Sequence, residues 1–174
     1  GLSVRNIGPA GMSGRVTCIA AHPLKTTTLY AGSASGGLWV SENNGQNWSP
    51  LFQNEKVASI GAIAIDPNYP DIIYVGTGEG NPRNSQTSGY GLYKSYDGGQ
   101  NWECIGLEQT RTIHRILINP ENTDELYVGA TGSAWGDSPR GVFKTTDGGK
   151  NWTNTLYIND RTGAGDLVMD PNNP

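Results

Sequence analysis

Four apolar runs along the chain end in the same way, in a polar residue followed by proline. They are VTCIAAHP, IGAIAIDP, IHRILINP and AGDLVMDP, and their prolines are Pro23, Pro67, Pro120 and Pro171. The intervals between successive prolines are 44, 53 and 51 residues. An apolar run of this length, stopped by a residue that cannot donate a backbone hydrogen bond, is typical of a buried strand and the turn after it. The chain is therefore built from repeats.

Each repeat carries two further strand signals in a fixed order. The first is LYAG, IYVG or LYVG, at 29–32, 73–76 and 126–129, and the second is GLWV, GLYK or GVFK, at 37–40, 91–94 and 141–144. A turn motif, S/T-x-D/N-x-G-x-x-W, follows directly and leads into a last short strand. Four strands in a repeat of ~40–50 residues are typical of a β-propeller blade. The sequence thus predicts an all-β fold, a β-propeller segment of four-stranded antiparallel blades.

The repeats also predict how the chain is divided. We expect three blades at 16–52, 58–107 and 112–158, and the first strand of a fourth within 163–174. Open blades expose sheet edges and apolar faces, and a propeller normally closes its ring. The chain is therefore expected to be the N-terminal part of a longer propeller, with the rest of that propeller as its partner.

The turn motif occurs three times at blade spacing, which favours a structural role over a catalytic one. Its acid can accept backbone hydrogen bonds, its glycines allow positive φ, and its tryptophan is expected to point into its own blade. A calcium loop would need more oxygen ligands than one acid per motif supplies. The motif residues are Ser41, Asn43, Gly45 and Trp48, then Ser95, Asp97, Gly99 and Trp102, then Thr145, Asp147, Gly149 and Trp152.

Composition narrows the classes of partner. The 174 residues carry a net charge of −4 without a basic stripe, which argues against a nucleic-acid partner. No apolar run approaches the roughly 20 residues that cross a bilayer, so direct membrane insertion is not expected. Cys18 and Cys104 form no metal-binding pattern and fit small buried hydrophobic residues, with a disulfide between them left open. We expect no metal and no cofactor.

The motifs resemble the Asp-box (BNR) repeats of sialidases, xyloglucanases and sortilin/VPS10 propellers. The stretches RNIGPAGMSGRV, GTGEGNPRNS, RGVFKTTDGGKNW and TGAGDLVMDPNNP are most similar to large secreted bacterial proteins with a sortilin-like N-terminal domain. The resemblance implies a secreted, cell-surface or periplasmic location in a bacterium. It also implies a glycan, peptide or protein ligand, bound on the blade face that carries the long loops.

Two long loops and one pair of inner strands hold the candidate ligand-binding residues. A loop at 76–91 could bind a polar ligand, or be solvated or self-paired, whereas one at 130–140 could stack on a sugar or grip a peptide. In the second loop the alternative is a tryptophan that caps the blade core beside an Asp137–Arg140 pair. The loop candidates are Glu79, Asn81, Arg83, Trp135, Asp137 and Arg140.

Polar residues also interrupt the apolar inner strands, at His114, Arg115 and Asp166. Arg115 and Asp166 each lie five residues before their proline, which places them at one level on adjacent blades. We expect an ion pair between them on the channel side, with a ligand-facing pair as the alternative. Arg5 and Arg15 precede the first blade and could reach the same face.

These residues give little support to the catalytic roles found in the families that the chain resembles. The stretch YAGSASGGLW at 30–39 resembles the xyloglucanase segment that carries a catalytic Asp, and Ala34 stands in its place. Sialidase-type arginines could be supplied, but the nucleophile and acid roles cannot be assigned. We therefore predict a non-catalytic binding or scaffold module and assign no catalytic residue. The alternative is part of a secreted Asp-box glycoside hydrolase whose catalytic residues lie mostly outside this segment.

Overall fold

The structure is a computed structural model that describes residues 15–81 and 86–174. Arg5 and Arg83, both named above as candidates, lie outside the described residues. Within the described ranges the fold is all-β, apart from one 3-10 turn at Glu108–Thr110. The all-β prediction is confirmed.

Twelve strands within the described residues form three four-stranded antiparallel sheets. The first sheet contains β1 (Val16–Ala21), β2 (Leu29–Ser33), β3 (Leu38–Ser41) and β4 (Ser49–Pro50). The second contains β5 (Ile60–Ile65), β6 (Ile73–Thr77), β7 (Leu92–Ser95) and β8 (Glu103–Cys104). The third contains β9 (Ile113–Ile118), β10 (Leu126–Ala130), β11 (Gly141–Thr145) and β12 (Thr153–Leu156). Each sheet is a simple meander, so strands next to each other in sequence pair.

The three sheets pack face to face in chain order, with their first strands side by side. Strand β5 contacts β1 and β2, and β9 contacts β5 and β6. Two apolar clusters fill the gaps between sheets, and β6 contributes to both because successive side chains point to opposite faces. Ile73 and Val75 face the first sheet, whereas Tyr74 faces the third. Burial on both faces explains why these strands are continuous apolar runs.

A glycine in the second strand of the first sheet, and another in that of the second sheet, lets the following sheet approach closely. Ile60 of β5 packs over Gly32, where an added Cβ would lie 2.5 Å from the isoleucine Cγ2. Ile113 of β9 packs in the same way over Gly76 and would overlap a Cβ there. Both isoleucines are fully buried. The glycine of the recurring LYxG or IYxG stretch is therefore the place where neighbouring sheets interlock.

Each turn motif is a closed hydrogen-bonded unit. In the second copy, Ser95 Oγ accepts the backbone N–H of Gly99 at 2.8 Å and donates to Asp97 Oδ1 at 2.8 Å. Asp97 in turn accepts the backbone N–H groups of Gln100 and Asn101, both at 2.9 Å. The first copy keeps this pattern with Asn43 in place of the acid, since its Oδ1 accepts the N–H of Asn47 at 2.9 Å.

The tryptophans of the motif differ from the expectation, because they join neighbouring sheets rather than pointing into their own. Trp102 donates its indole N–H to the carbonyl of Leu51 at 3.1 Å, and Trp152 donates to Ile105 at 2.8 Å. Each acceptor follows the last strand of the preceding sheet. Trp48, in the first sheet, instead donates to Gly45 of its own turn at 3.0 Å and remains exposed.

Residues 163–174, expected to begin a fourth blade, contain no strand. Ala164 donates its backbone N–H to Ala130 at the end of β10, and Leu167 lies beside Gly129. The segment thus lies against the third sheet in the same position that β9 takes against the second sheet. A strand requires a row of backbone hydrogen bonds to a neighbouring strand. No described residues form such a row with this segment. Its assignment to a fourth blade stays a prediction.

Both cysteines are free and half-buried, so the disulfide left open by the sequence does not form. Burial raises the pKa of the Cys18 thiol and of the Cys104 thiol, which keeps both protonated at neutral pH.

Candidate ligand-binding face

The meander topology places two kinds of connection at one end of the sheets. These are the loops between second and third strands, at 34–37, 78–91 and 131–140, and the links between sheets, at 51–59 and 105–112. Hydrogen bonds join them, since Gly37 donates to Ala58 at 2.8 Å and Gly89 donates to Arg111 at 2.6 Å. We call this end the long-loop face. The turn motifs lie at the opposite end.

Glu79 of the second loop forms a two-point ion pair with Arg15. Arg15 Nε donates to Glu79 Oε1 at 2.8 Å, and Nη2 donates to Oε2 at 2.6 Å. The Glu79 side chain is 0% exposed and that of Arg15 is 38% exposed. The expected alternatives of a solvated or self-paired loop are therefore wrong for Glu79, which is buried and pairs with a residue 64 positions away. Asn81, two residues on, is exposed.

The ion pair expected between Arg115 and Asp166 is present. Arg115 Nε and Nη2 each lie 2.6 Å from Asp166 Oδ1, and both side chains are largely exposed. The arginine hydrogen bond lowers the pKa of Asp166 below its usual value. His114 lies beside them and is half-buried, with Gly80 against its ring. Its Nδ1 is buried and makes no hydrogen bond to the residues that the structure describes.

The third loop carries an exposed tryptophan on a fixed backbone. Trp135 is 74% exposed, so the alternative that it caps the blade core is wrong. Arg140 is buried and donates Nη2 to the carbonyl of Ser133 at 3.0 Å, and the backbone N–H of Ser133 donates to Ser138 Oγ at 2.6 Å. The expected Asp137–Arg140 pair is also wrong, because both residues are described and form no ion pair. The guanidinium binds loop carbonyls, and Asp137 is exposed.

Two carboxylates of the turn motifs, at the opposite end, have lowered pKa values and stay ionised at neutral pH. The Asn101 side chain, helped by its backbone N–H and by Ser95, lowers the pKa of Asp97 to about 2. Asp147 has the same surroundings, led by the Asn151 side chain, and its pKa is also about 2. A general acid must carry a proton near neutral pH, so neither acid suits that role. Their oxygens accept hydrogen bonds within the turn.

Among the described residues, no group of three His, Cys, Asp or Glu side chains could hold a metal ion. Within the same residues, no helix has the length and apolar character needed to cross a membrane.

Sequence reasoning overlooked two features of the long-loop face. Arg15 was noted only as able to reach it, because nothing near position 79 in the sequence indicates its partner. A cavity of about 540 Å³ between the loop at 34–37 and the link at 51–59 was also missed. The features of the sequence that could have indicated the cavity are the small residues SASGG at 33–37 and the polar residues QNE at 53–55.

No family model matches the chain. It is 28% identical over 115 residues, or 64% of its length, to the oligoxyloglucan-reducing end-specific xyloglucanase of Emericella nidulans, and covers 13% of that protein. An ancestral GH74 enzyme superposes on 87% of the chain with a TM-score of 0.69 and 22% identity, and the chain covers 19% of it. A YCF48 structure with bound D1 peptide superposes on 80% of the chain, which covers 40% of it, with a TM-score of 0.54 and 14% identity.

These similarities confirm the predicted fold class. The chain has the fold of a β-propeller and is related to xyloglucanase propellers, and its sheets correspond to four-stranded antiparallel blades. It spans about an eighth of the curated relative and about a fifth of the ancestral enzyme. These shares are too small to show that this chain has the activity of those larger proteins.

Proposed function

We propose that this chain is a non-catalytic, glycan-binding part of a secreted bacterial β-propeller protein. The observation that carries the proposal is Trp135, which is 74% exposed on a loop whose backbone is fixed by Arg140. An aromatic ring on a rigid support offers an apolar face at little entropic cost, which suits the C–H face of a sugar ring. Asp137, exposed on the same loop, can accept hydroxyl hydrogen bonds.

The surroundings of the acids support binding rather than cleavage. Glycoside hydrolysis ordinarily requires two carboxyl groups that flank the scissile bond, one of them a proton donor. Glu79 is buried against Arg15, and Asp166 is paired with Arg115. Asp97 and Asp147 lie in the turns at the opposite face. Asp137 alone of the candidate acids is exposed without an ion pair among the described residues.

Similarity to a xyloglucanase supports a glycan over other ligands, and β-linked glucan chains are the first class to test. Similarity to YCF48 with bound D1 peptide is confined to the fold, so a peptide ligand is the competing outcome. The finer resemblance to sortilin/VPS10 Asp-box proteins, the secreted location and the completion of the ring by the rest of the same propeller stay part of the proposal.

The test is isothermal titration calorimetry of the full-length protein with a xyloglucan oligosaccharide. The Trp135→Ala variant should bind about tenfold more weakly, because loss of an aromatic contact of ~1.4 kcal/mol changes affinity tenfold. Tyr69→Ala is the matched control, since Tyr69 is also a largely exposed aromatic residue but lies in a turn at the opposite end. Equal affinity of the Trp135→Ala variant and the wild type, or binding of peptides alone, would contradict the proposal.

A second candidate is part of a secreted glycoside hydrolase whose catalytic acids lie outside this segment. It is favoured by the sequence similarity to a xyloglucanase. Release of reducing ends from xyloglucan by the full-length protein would support it. If the Trp135→Ala variant loses that activity because it binds the substrate more weakly, this chain is the glycan-binding part of a hydrolase. Binding without release would favour the non-catalytic one.

A further inference from the structure

The turn between the first two strands of every sheet begins with a polar side chain that accepts backbone hydrogen bonds. In the second sheet, Asp66 Oδ1 accepts the N–H groups of Asn68 and Tyr69 at 2.8 and 3.0 Å. In the third sheet, Asn119 Oδ1 accepts the N–H of Glu121 at 2.9 Å. Both are Asx-turns, in which a side-chain oxygen takes the place of a backbone acceptor.

His22 holds the same position in the first sheet and uses a ring nitrogen for the same purpose. Its Nδ1 accepts the N–H groups of Leu24 and Lys25, both at 3.1 Å. Nδ1 of histidine and Oδ1 of Asp or Asn are each bonded to Cγ, so they reach the same point of a turn. Because two N–H groups face Nδ1, the hydrogen-bond network assigns the neutral tautomer with its proton on Nε2.

The turn that begins at His22 supports the first turn motif. The carbonyl of Thr27 accepts the backbone N–H of Asn44, inside that motif, at 2.9 Å. In the second sheet the carbonyl of Asp71 accepts the N–H of Gly98 in the same way, also at 2.9 Å. A change in the His22 turn is therefore passed to the first turn motif.

The surroundings of His22 disfavour its charged form. The side chain is 6% exposed. Burial and the nearby Lys25 ammonium lower the pKa of His22 below its ordinary value of 6.5, and the Asp71 carboxylate of the second sheet opposes them. Protonation of Nδ1 converts an acceptor into a donor that faces two other donors. The turns of the other sheets have no such titration, because an amide does not titrate near neutral pH and a protonated carboxyl group keeps an acceptor oxygen.

We propose that His22 is a pH switch that opens the β1–β2 turn and loosens the first turn motif when the protein is acidified. Above pH ~6.5 the ring is neutral in the closed and the opened turn, so the turn contributes fully to stability. Below that pH the opened turn binds a proton that the closed turn excludes, so opening becomes more favourable until the closed turn also titrates. The inference is independent of the proposed ligand, since no residue of the long-loop face takes part.

The test is amide hydrogen exchange of the full-length protein, followed by mass spectrometry from about pH 8 to 5. After correction for the intrinsic pH dependence of exchange, peptides at 22–30 and 41–48 should exchange faster as the pH falls below ~6.5. The increase should be at most about tenfold for each pH unit, because one proton is bound. The equivalent peptides of the second sheet, at 66–74 and 95–102, are the internal control and should keep constant corrected rates.

Two substitutions at His22 hold the turn in one state. His22→Asn supplies Oδ1 in place of Nδ1, as Asn119 does in the third sheet, and should keep the peptide at 22–30 protected at every pH. His22→Leu has no acceptor, so the same peptide should exchange fast at every pH, like that of the acidified wild type. A wild-type rate at 22–30 that does not change with pH, or a His22→Asn protein that keeps the pH dependence, would overturn the inference.

The wild type also gives a direct measure of the ring, which stands even where a variant fails to fold. Exchange of the imidazole C2 hydrogen, followed by mass spectrometry, reports the pKa of an individual histidine. The pKa of His22 should lie below 6.5, because burial and Lys25 disfavour the charged ring. A His22 pKa at or above 6.5 would contradict the inference, since the closed turn would then accept the proton as readily as the opened one.

Discussion

Replacing Gly76 by alanine tests the interlocking of neighbouring sheets. The φ of Gly76 is not in the left-handed region, so alanine meets no backbone strain there. The added Cβ would overlap Cγ2 of Ile113 and lie 2.8 Å from its Cβ. Favourable carbon contacts need about 3.5–4.0 Å. Ile113 is 0% exposed and lies at the start of β9, the edge strand of the third sheet that packs against β5 and β6, so the isoleucine or its strand must shift.

We expect Gly76→Ala to lower the free energy of unfolding by about 1–3 kcal/mol. This is the usual cost of inserting a methyl group into a packed core, offset by about 0.4–1 kcal/mol from the lower entropy of the unfolded chain. Urea unfolding followed by tryptophan fluorescence measures the change. Gly136→Ala is the matched control, since an added Cβ there has no atom within 4 Å, and it should change stability by less than about 0.5 kcal/mol.

A double variant identifies the contact responsible. Ile113→Ala alone should cost about 2–5 kcal/mol through the cavity it leaves. In Gly76→Ala/Ile113→Ala the removed Cγ2 makes room for the new methyl, so the combined loss should be smaller than the sum by at least about 1 kcal/mol. Additive losses, or a Gly76→Ala protein as stable as the wild type, would refute the interlocking of these two sheets.

Three further predictions concern the turns and the third loop. Because the Asn101 side chain, with its neighbours, lowers the pKa of Asp97 from 3.8 to about 2, this acid stabilises the protein fully above pH ~4 and loses that contribution as the pH falls to 2. Asp97→Asn should therefore flatten the loss of stability between pH 4 and 2 in acid unfolding curves. Trp102→Phe should cost about 1 kcal/mol in urea unfolding, because a backbone carbonyl of the first sheet loses its donor. Arg140→Ala should speed amide hydrogen exchange at 133–138 and weaken saccharide binding at Trp135, whereas an unchanged exchange rate would show that the loop does not depend on the guanidinium.

The strands could be predicted from the sequence because their signals are local and repeated. The LYAG, IYVG and LYVG stretches coincide with β2, β6 and β10, and the turn motifs fall between the last two strands of each sheet. Repetition also allowed one contact distant in sequence to be predicted. Arg115 and Asp166 occupy the same place in successive repeats, so aligning the two repeats placed these residues side by side, and the structure pairs them.

Contacts outside the repeat register could not be predicted in this way. Arg15 and Glu79 occupy different places in their repeats, and the loop that carries Glu79 is much longer than its counterpart at 34–37 in the first repeat. The role of Trp102 was misjudged for a related reason. The motif fixes the turn that carries the ring, but its partner, the carbonyl of Leu51, comes from the preceding sheet 51 residues earlier. Burial of Glu79 and the exposure of Trp135 likewise depend on how the loops pack.

The repeats also explain the apolar surface of the first sheet. Ile60 and Ile113, at the start of β5 and β9, are buried because each packs over a glycine of the preceding sheet. Val16 occupies the same place in β1 and is 59% exposed, and Ile19 on the same strand is 68% exposed. Trp48, whose equivalents donate to the preceding sheet, donates to its own turn. An apolar surface that repeats a buried interface of the same molecule indicates a binding surface for another such sheet. We therefore expect a further blade of the same propeller to cover it, with a glycine of its second strand beneath Val16 and a carbonyl after its last strand at Trp48.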